Sequence, residues 1–176
     1  MLGAVFDDLL DANRSYVAGF SLQGLAPQAA KGLCLITCMD TRIEPLPMLG
    51  LRPGDAKILR NAGGRVMPEV LRSVVLAVAF LGVTRVAVMH HTDCAMTKLD
   101  DDAVRTQLGP QRAEAVSGWD FLTMADPDQA LAADVEAVRS CRALPEGIGV
   151  EGWRYDVATG AVNRVVALRR TGPAGR

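Results

Sequence analysis

Two short segments of the sequence carry side chains that could bind a metal ion and act on a substrate. They are residues 38–42, with the sequence CMDTR, and residues 90–94, with the sequence HHTDC. Together they offer thiolates at Cys38 and Cys94 and an imidazole at His90 or His91. Two cysteines and one histidine suit zinc, because this borderline-soft ion accepts both sulfur and nitrogen. Three protein ligands leave a fourth position for water, which is the pattern of a catalytic zinc site.

The four cysteines of the chain are expected to divide into two pairs with different roles. Cys34 and Cys141 are interpreted as core residues, because free cysteine is among the most buried residue types. Cys38 and Cys94 are interpreted as ligands instead, because aspartate and arginine accompany them at tight spacing.

The elements that must position these segments follow from the apolar pattern. The predicted strands are residues 32–38, 56–61 and 84–89, followed by a hairpin with strands at 148–157 and 161–168. The predicted helices are residues 1–20, 68–81 and 126–138. Alternating strands and helices predict an α/β fold: a mostly parallel sheet flanked by helices, with an antiparallel edge strand from the carboxyl-terminal hairpin.

In such a sheet, the carboxyl ends of parallel strands lie at one edge, and ligands collect there. The first predicted strand ends at Cys38, and the third ends at the pair of histidines. The fold therefore predicts that residues 38–42 and 90–94 meet at the same edge.

Length and composition limit what else the chain can be. It has 176 residues, of which 49% are hydrophobic and 22% are charged, which is typical of one globular domain of ordinary size. A formal net charge of −1 supplies no basic surface, so no nucleic-acid partner is expected. Residues 1–168 are predicted to form this single domain, and residues 169–176, rich in Arg, Gly and Pro, are predicted to be a flexible tail.

Two observations bear on the location of the protein. Asp7 and Asp8 interrupt the apolar amino-terminal stretch, which argues against a signal peptide. The longest uncharged apolar run, residues 73–84, is too short to span a bilayer, so no membrane partner is expected. A reducing, cytoplasmic location is the resulting expectation.

With these motifs in place, the sequence resembles the β-class carbonic anhydrases, in particular the short bacterial members. The resemblance rests on CxDxR at residues 38–42, RNAGG at residues 60–64 and HxxC at residues 91–94, in that order. It covers most of the chain, from the first predicted helix to the carboxyl-terminal hairpin.

The resemblance implies an enzyme that catalyses the reversible hydration of carbon dioxide to bicarbonate and a proton by zinc-bound hydroxide. It implies one Zn²⁺ per chain, with Cys38, His91 and Cys94 as the ligands, so that His90 is expected to be structural. It also implies a homodimer or a larger homo-oligomer, since family members wrap amino-terminal helices over a partner subunit. Residues 1–20 are accordingly expected to pack on a second copy of the chain.

The resemblance further implies that Asp40 and Arg42 form a hydrogen-bonded dyad beside the metal. The planar guanidinium of Arg42 can hold Asp40 as an anion and aim its free oxygen at the hydroxide. Asp40 can also become a fourth zinc ligand in a closed state, in which Arg42 is unpaired. Because opening releases a proton, low pH favours the closed state.

Small residues around the motifs are expected to line the substrate pocket or to let the backbone approach the metal site. They lack the glycine spacing of nucleotide-binding loops. The family usually has glycine after its second cysteine, whereas this chain has alanine, which keeps the backbone N–H as a donor unless a positive φ is required. The expected pocket and backbone-support residues are Asn61, Ala62, Gly63, Gly64, Val66 and Ala95.

Two other functions fit the same residues. One is a zinc-dependent hydrolase of another small molecule resembling carbon dioxide, such as carbon disulfide, since only the access path would have to differ. The other is a non-enzymatic zinc protein with a closed site. That site needs a fourth permanent ligand, for which Asp40 and Cys34 are the nearby candidates.

Overall fold

The computed structural model describes residues 5–172 of the chain. Its helices are α1 (Asp7–Ala18), α2 (Pro45–Met48), α3 (Pro68–Phe80), α4 (Asp101–Leu108), α5 (Pro110–Ala115) and α6 (Pro127–Arg139). Its strands are β1 (Leu33–Cys38), β2 (Ala56–Asn61), β3 (Arg85–His91), β4 (Gly149–Tyr155) and β5 (Val162–Arg170). Short 3-10 turns follow two of the strands, at Ala62–Gly64 after β2 and at Ala95–Thr97.

The five strands form one sheet in the order β2-β1-β3-β4-β5. β1 pairs in parallel with β2 and β3, and β3 pairs in parallel with β4, whereas β5 is antiparallel to β4. Each parallel connection contains at least one helix, because parallel neighbours need a crossover. This topology confirms the predicted α/β fold, including its antiparallel edge strand.

Both faces of the sheet are buried along the central strands. Every residue of β1 is buried, and so are the last six residues of β3. One face forms a core cluster with α3 and α6, where Val74, Leu131 and Val135 are fully buried. The other face forms a second cluster around Leu35 and Met89. Since both faces are covered, the central strands appear in the sequence as continuous apolar runs.

The helices begin at residues with a local physical reason to start a helix. α3 begins at Pro68, whose fixed φ suits the first helical position. α6 follows Asp126, whose carboxylate accepts hydrogen bonds from two backbone N–H groups of the first turn. α4 and α5 were not predicted, although they carry the same signals, an aspartate cap at Asp100 and a first-turn proline at Pro110.

The amino-terminal helix is shorter than predicted. A helix was expected over residues 1–20, whereas α1 spans Asp7–Ala18, and residues 1–4 lie outside the described part of the chain. Every residue of α1 is exposed, so the helix lies on the surface of the chain. Within residues 5–172, no helix is long and apolar enough to cross a membrane, and the cytoplasmic location stays a prediction.

The carboxyl-terminal strand is longer than predicted. A flexible tail was expected from residue 169, but β5 continues to Arg170 and Thr171 is buried. The Thr171 hydroxyl accepts a hydrogen bond from the N–H of Ile148 at 3.0 Å, and the N–H of Thr171 donates to the Ile148 carbonyl at 2.9 Å. The side chains of an edge strand can be polar although its backbone is hydrogen-bonded. The polar composition of the residues from 169 onward therefore suggested a flexible tail where the strand in fact continues. Residues 173–176 lie outside the described residues.

Candidate metal centre

The carboxyl ends of two adjacent parallel strands bring the predicted segments together. β1 ends at Cys38, β3 ends at His91, and Cys94 follows β3 after a short turn. All three side chains are buried, and their sulfur and nitrogen ligand atoms lie within 4.8 Å of one another. The sheet topology thus produces the cluster that the strand ends predicted.

His91 presents a nitrogen that suits a metal ion. Its Nδ1 lies 2.8 Å from the backbone carbonyl oxygen of Thr92. Because a carbonyl oxygen only accepts, Nδ1 is assigned the proton, and Nε2 is left with a lone pair. Nε2 is buried and has no hydrogen-bond partner within residues 5–172. A buried nitrogen without a partner is unfavourable, and a bound cation would satisfy it.

The two sulfurs of the cluster favour a bound cation for a second reason. A hydrogen bond from the Cys94 side chain lowers the pKa of Cys38, against the effect of burial. The same contact, together with burial, raises the pKa of Cys94. One thiolate is therefore already stabilised, and a divalent cation would favour ionisation of both sulfurs. A donor set of two sulfurs and one nitrogen fits zinc.

The other two cysteines lie away from this cluster. Cys34 is fully buried in the core beneath α3 and α6, and burial raises the pKa of its thiol to about 12. Cys141 packs against the same core and is only partly buried. The metal-binding group found among residues 5–172 consists of Cys38, His91 and Cys94, so it does not include Cys34 as a fourth ligand.

Asp40 and Arg42 form a bidentate ion pair beside the cluster. Nε of Arg42 donates to Oδ1 of Asp40 at 2.9 Å, and Nη2 donates to Oδ2 at 2.8 Å. The backbone N–H of Arg42 also donates to Oδ1, at 2.9 Å. These hydrogen bonds hold the pKa of Asp40 well below its usual range. Oδ2 of Asp40 lies 3.9 Å from Nε2 of His91, so the carboxylate lies close to the nitrogen that would hold a metal.

A second carboxylate holds the guanidinium from the other side. Nη1 of Arg42 donates to Oδ2 of Asp93 at 2.8 Å, and Lys98 donates to Oδ1 of Asp93. Hydrogen bonds from Lys98 and Arg42 lower the pKa of Asp93 to about 2. Asp40 is thus paired with Arg42, and the open and closed states of the metal site both stay predictions.

The loop after β2 approaches Cys38 closely. Gly64 has a φ of 70°, in the left-handed region that favours glycine. A Cβ on Gly64 would lie 2.9 Å from the carbonyl carbon of Thr37 and 3.0 Å from the nitrogen of Cys38. Asn61 braces this loop, because its side-chain amide donates to the carbonyl of Arg65 at 2.7 Å and accepts from the N–H of Arg65 at 2.8 Å. The contact at Gly64 leaves no room for a side chain.

A cavity of about 380 Å³ lies beside the cluster and is lined by residues from both predicted segments. Ala62, Gly63 and Ala95 also line it, and their expected role in a substrate pocket stays a prediction. Val66 differs, because it packs against the core cluster under α3 and α6 and is not among the lining residues. Ala95 does not have a positive φ, so its Cβ is accommodated; the strained residue of this turn is Asp93, with a φ of 55°.

Two charged residues next to the site were not identified from the sequence. Asp134 on α6 and Arg65 in the loop after β2 form an ion pair, with 2.7 Å between Oδ2 and Nε. Asp134 also accepts a hydrogen bond from Nε2 of His90 at 3.0 Å, which is consistent with the structural role predicted for His90. The sequence does contain a pattern that indicates such a pair. Asp134 lies between Leu131 and Val135 on the apolar face of a helix, where an unpaired charge is unfavourable.

Comparison with known sequences shows what this chain is similar to. A sequence profile of the protein family described as carbonic anhydrase matches residues 33–119, which include both segments of the cluster. Beta-carbonic anhydrase 1 of Mycobacterium tuberculosis is 30% identical over 162 residues, which cover 92% of this chain and 98% of that protein. The carbon disulfide hydrolase of Acidianus sp. is 30% identical over 150 residues, covering 72% of this chain and 74% of that protein.

Two solved structures of carbonic anhydrases are similar to this chain over most of its length. The carbonic anhydrase from Streptococcus mutans has a TM-score of 0.84 and 37% identity, covering 94% of this chain and 99% of that one. The carbonic anhydrase from Glaciozyma antarctica has a TM-score of 0.79 and 32% identity, covering 89% and 95%. Because sequence and fold agree over nearly the whole length of both partners in these comparisons, the chain belongs to the beta-carbonic anhydrase family.

Proposed function

We propose that this protein is a zinc-dependent carbonic anhydrase, a lyase that catalyses the reversible hydration of carbon dioxide to bicarbonate and a proton. The observation that carries this proposal is the buried cluster of Cys38, His91 and Cys94, with the carboxylate of Asp40 beside it. Membership of the beta-carbonic anhydrase family supports the choice of reaction.

One Zn²⁺ per chain would be held by the sulfurs of Cys38 and Cys94 and by Nε2 of His91. Zinc supplies a Lewis acid that makes water nucleophilic near neutral pH. The hydrogen bond from Nδ1 of His91 to the Thr92 carbonyl fixes both the tautomer and the orientation of the ring. The protein therefore presents the nitrogen lone pair without further rearrangement.

The role proposed for Asp40 is to accept a hydrogen bond from the attacking water or hydroxide and thereby orient it. Three hydrogen bonds from Arg42 keep the carboxylate ionised and in place. Asp93 holds Arg42 from the opposite side, so the guanidinium has little freedom to leave Asp40. The small apolar side chains of Ala62 and Ala95 in the cavity suit carbon dioxide, which offers few groups for hydrogen bonding.

The test measures zinc content and carbon dioxide hydration together. Cys38→Ser, His91→Ala and Cys94→Ser should each lose both, because removal of one of three ligands leaves an incomplete site. Cys34→Ser and Cys141→Ser are the matched controls and should retain both. Near-stoichiometric zinc with normal activity in any ligand variant would show that the ligand assignment is wrong. A parent protein that binds zinc but does not hydrate carbon dioxide would refute the proposed reaction.

A second candidate reaction is the hydrolysis of carbon disulfide. Relatives from Acidianus sp. and Acidithiobacillus thiooxidans, 30% and 29% identical to this chain, carry the name carbon disulfide hydrolase. The same three ligands would serve both reactions, so the ligand variants do not separate them. Assays of the purified zinc protein with each substrate alone do: release of hydrogen sulfide from carbon disulfide without hydration of carbon dioxide would favour the second candidate.

We also propose that the protein is a homodimer or a larger homo-oligomer. α1 is exposed along its whole length, and its side chains Leu9, Leu10 and Val17 are 61%, 58% and 62% exposed. Apolar side chains grouped on a surface helix favour contact with another protein surface. A second copy of the chain is the simplest source of that surface, since most soluble oligomers are symmetric homo-oligomers.

A further inference from the structure

α6 carries a buried carboxylate that the proposed chemistry does not use. The side chain of Asp134 is 4% exposed and lies among the apolar residues with which the helix packs on the sheet. Burial alone would raise the pKa of this carboxyl, but hydrogen bonds from His90 and Arg65 lower it below its ordinary value. A carboxylate persists in such a place only when it is fully paired, so its partners indicate what it does.

The partners of Asp134 belong to two segments that flank the metal centre, the loop after β2 and the carboxyl end of β3. Oδ2 accepts from Nε of Arg65 at 2.7 Å, and Oδ1 accepts from the N–H of Val66 at 3.0 Å. Both donors lie in the loop that passes against Cys38. Oδ2 also accepts from Nε2 of His90 at 3.0 Å. His90 is adjacent to the ligand His91 in β3, so one carboxylate is linked through its partners to the neighbourhood of both Cys38 and His91.

Arg65 extends the same network to a third segment. Its Nη1 donates to the carbonyl oxygen of Leu122 at 2.6 Å, and Leu122 has a φ of 56°. Two residues later, Met124 is buried, and its N–H donates to the carbonyl of Met96 at 2.8 Å. Cε of Met124 would lie 3.3 Å from a Cβ on Gly63. The guanidinium therefore connects α6 to a segment that packs against the lining of the cavity.

We propose that Asp134 is a positioning residue, which acts through Arg65 and His90 to hold the loop at residues 61–66 and the segment at 122–124 against the metal centre. It touches neither the cluster nor the cavity directly. Its contribution to catalysis rests on the proposed function, but its effect on the metal centre does not. Metal binding therefore provides the first test.

The decisive variant is Asp134→Asn, which preserves the shape of the side chain and removes its charge. Its amide can no longer accept from Arg65, Val66 and His90 at once, because an NH2 group that only donates replaces one of the two oxygens. Loss of a hydrogen-bond partner of a metal ligand typically weakens a metal site roughly 10–100-fold, and Asp134 acts one residue further from the metal. We therefore expect the variant to release zinc to a chelator faster by a factor near the lower end of this range, roughly 10-fold. In Co²⁺-substituted protein, the thiolate-to-cobalt absorption should change in energy or intensity.

Arg65→Lys provides a second variant that keeps the positive charge. A single ammonium cannot reproduce the fork that reaches Asp134 and Leu122 together, so this variant should change zinc release and the cobalt spectrum in the same direction. It decides the question if Asp134→Asn does not fold.

The matched control is Glu151→Gln on β4. Glu151 is also a largely buried carboxylate, with hydrogen bonds from Trp153 at 2.7 Å and Arg164 at 3.0 Å, but it pairs with Ala87 in the first half of β3 and is remote from the cluster. It should leave the cobalt spectrum and zinc release unchanged.

The expected result is a changed cobalt spectrum and faster zinc release in Asp134→Asn and Arg65→Lys, but not in Glu151→Gln. Folded variants that match the parent in both measurements would overturn the proposal, and so would an equal change in the control. In the hydration assay, the two variants should lower kcat more than they raise KM. If the parent does not hydrate carbon dioxide, the metal measurements still decide the positioning role, so the two failures are distinguishable.

Discussion

Replacing Gly64 by alanine should disturb the metal centre through a steric contact with β1. A control glycine with a similar φ but no such contact separates this effect from the cost of backbone strain. A Cβ at this position would lie 2.9 Å from the carbonyl carbon and 3.1 Å from the Cα of Thr37, and 3.0 Å from the nitrogen of Cys38. These are backbone atoms at the end of β1, a strand that is buried along its whole length. Relief of the contact requires the loop and the strand end to separate, which displaces the ligand Cys38.

The size of the effect follows from two contributions. The φ of Gly64 is 70°, and a residue other than glycine loses about 1–2 kcal/mol in the left-handed region. Forcing an extra group into a packed site costs a further ~1–3 kcal/mol. Gly64→Ala should therefore lower the free energy of unfolding by roughly 2–5 kcal/mol. This is a large part of the about 5–15 kcal/mol that stabilises an ordinary domain.

Gly160→Ala is the matched control for backbone strain. Gly160 has a φ of 75°, and apart from its chain neighbours no heavy atom of residues 5–172 would lie within 4 Å of its Cβ. It should lose only the conformational contribution of about 1–2 kcal/mol. The effect of alanine on the entropy of the unfolded chain is common to both variants and cancels in the comparison.

The assay is denaturant unfolding of parent and variants at equal protein and zinc concentrations, since both shift the apparent stability. Zinc release to a chelator is measured on the same samples. Gly64→Ala should be less stable than Gly160→Ala by at least about 1 kcal/mol and should alone release zinc faster. Equal losses of stability, with parental zinc release in Gly64→Ala, would refute the argument from close approach.

Three other predictions concern the dyad, the buried carboxylate and the amino-terminal helix. Arg42→Ala should retain zinc but lose at least roughly 100-fold in hydration activity, because Asp40 loses the partner that orients it. Metal analysis and the hydration assay check both expectations. Arg72→Ala on the exposed face of α3 is the control and should match the parent. The pKa of Asp134 is lowered in the folded protein, so its charge contributes stability above the ordinary aspartate pKa of about 3.9, and this contribution is lost as the pH falls below that value. Urea unfolding should accordingly show Asp134→Asn less stable than the parent at neutral pH, with the gap narrowing below about pH 4. Deletion of residues 1–18 should lower the oligomeric state in analytical ultracentrifugation, and a monomeric intact protein at micromolar concentration would contradict the proposed assembly.

The α/β architecture and the meeting of the two motif segments could be predicted from sequence because each depends on a local rule, whereas the choice of His91 over His90 rested on the family resemblance. Strands buried on both faces are continuous apolar runs, and the carboxyl ends of parallel strands necessarily share one edge. Cys38 and His91, 53 positions apart in the numbering, come together for that reason alone. Asp126 and Pro68 mark helix starts by their own backbone chemistry, without reference to the rest of the fold.

Other features depend on where distant elements come to lie, and only the tertiary structure decided them. Asp134 and Arg65 are separated by 69 positions, and α6 could have presented its carboxylate to many partners. The contact of Arg65 with Leu122 and the extension of β5 past residue 169 have no periodic signal, because both rest on backbone groups that every residue possesses. A sequence specifies which side chains cannot remain unpaired in the core, but the packing of the sheet and its helices selects the partner that each one finds.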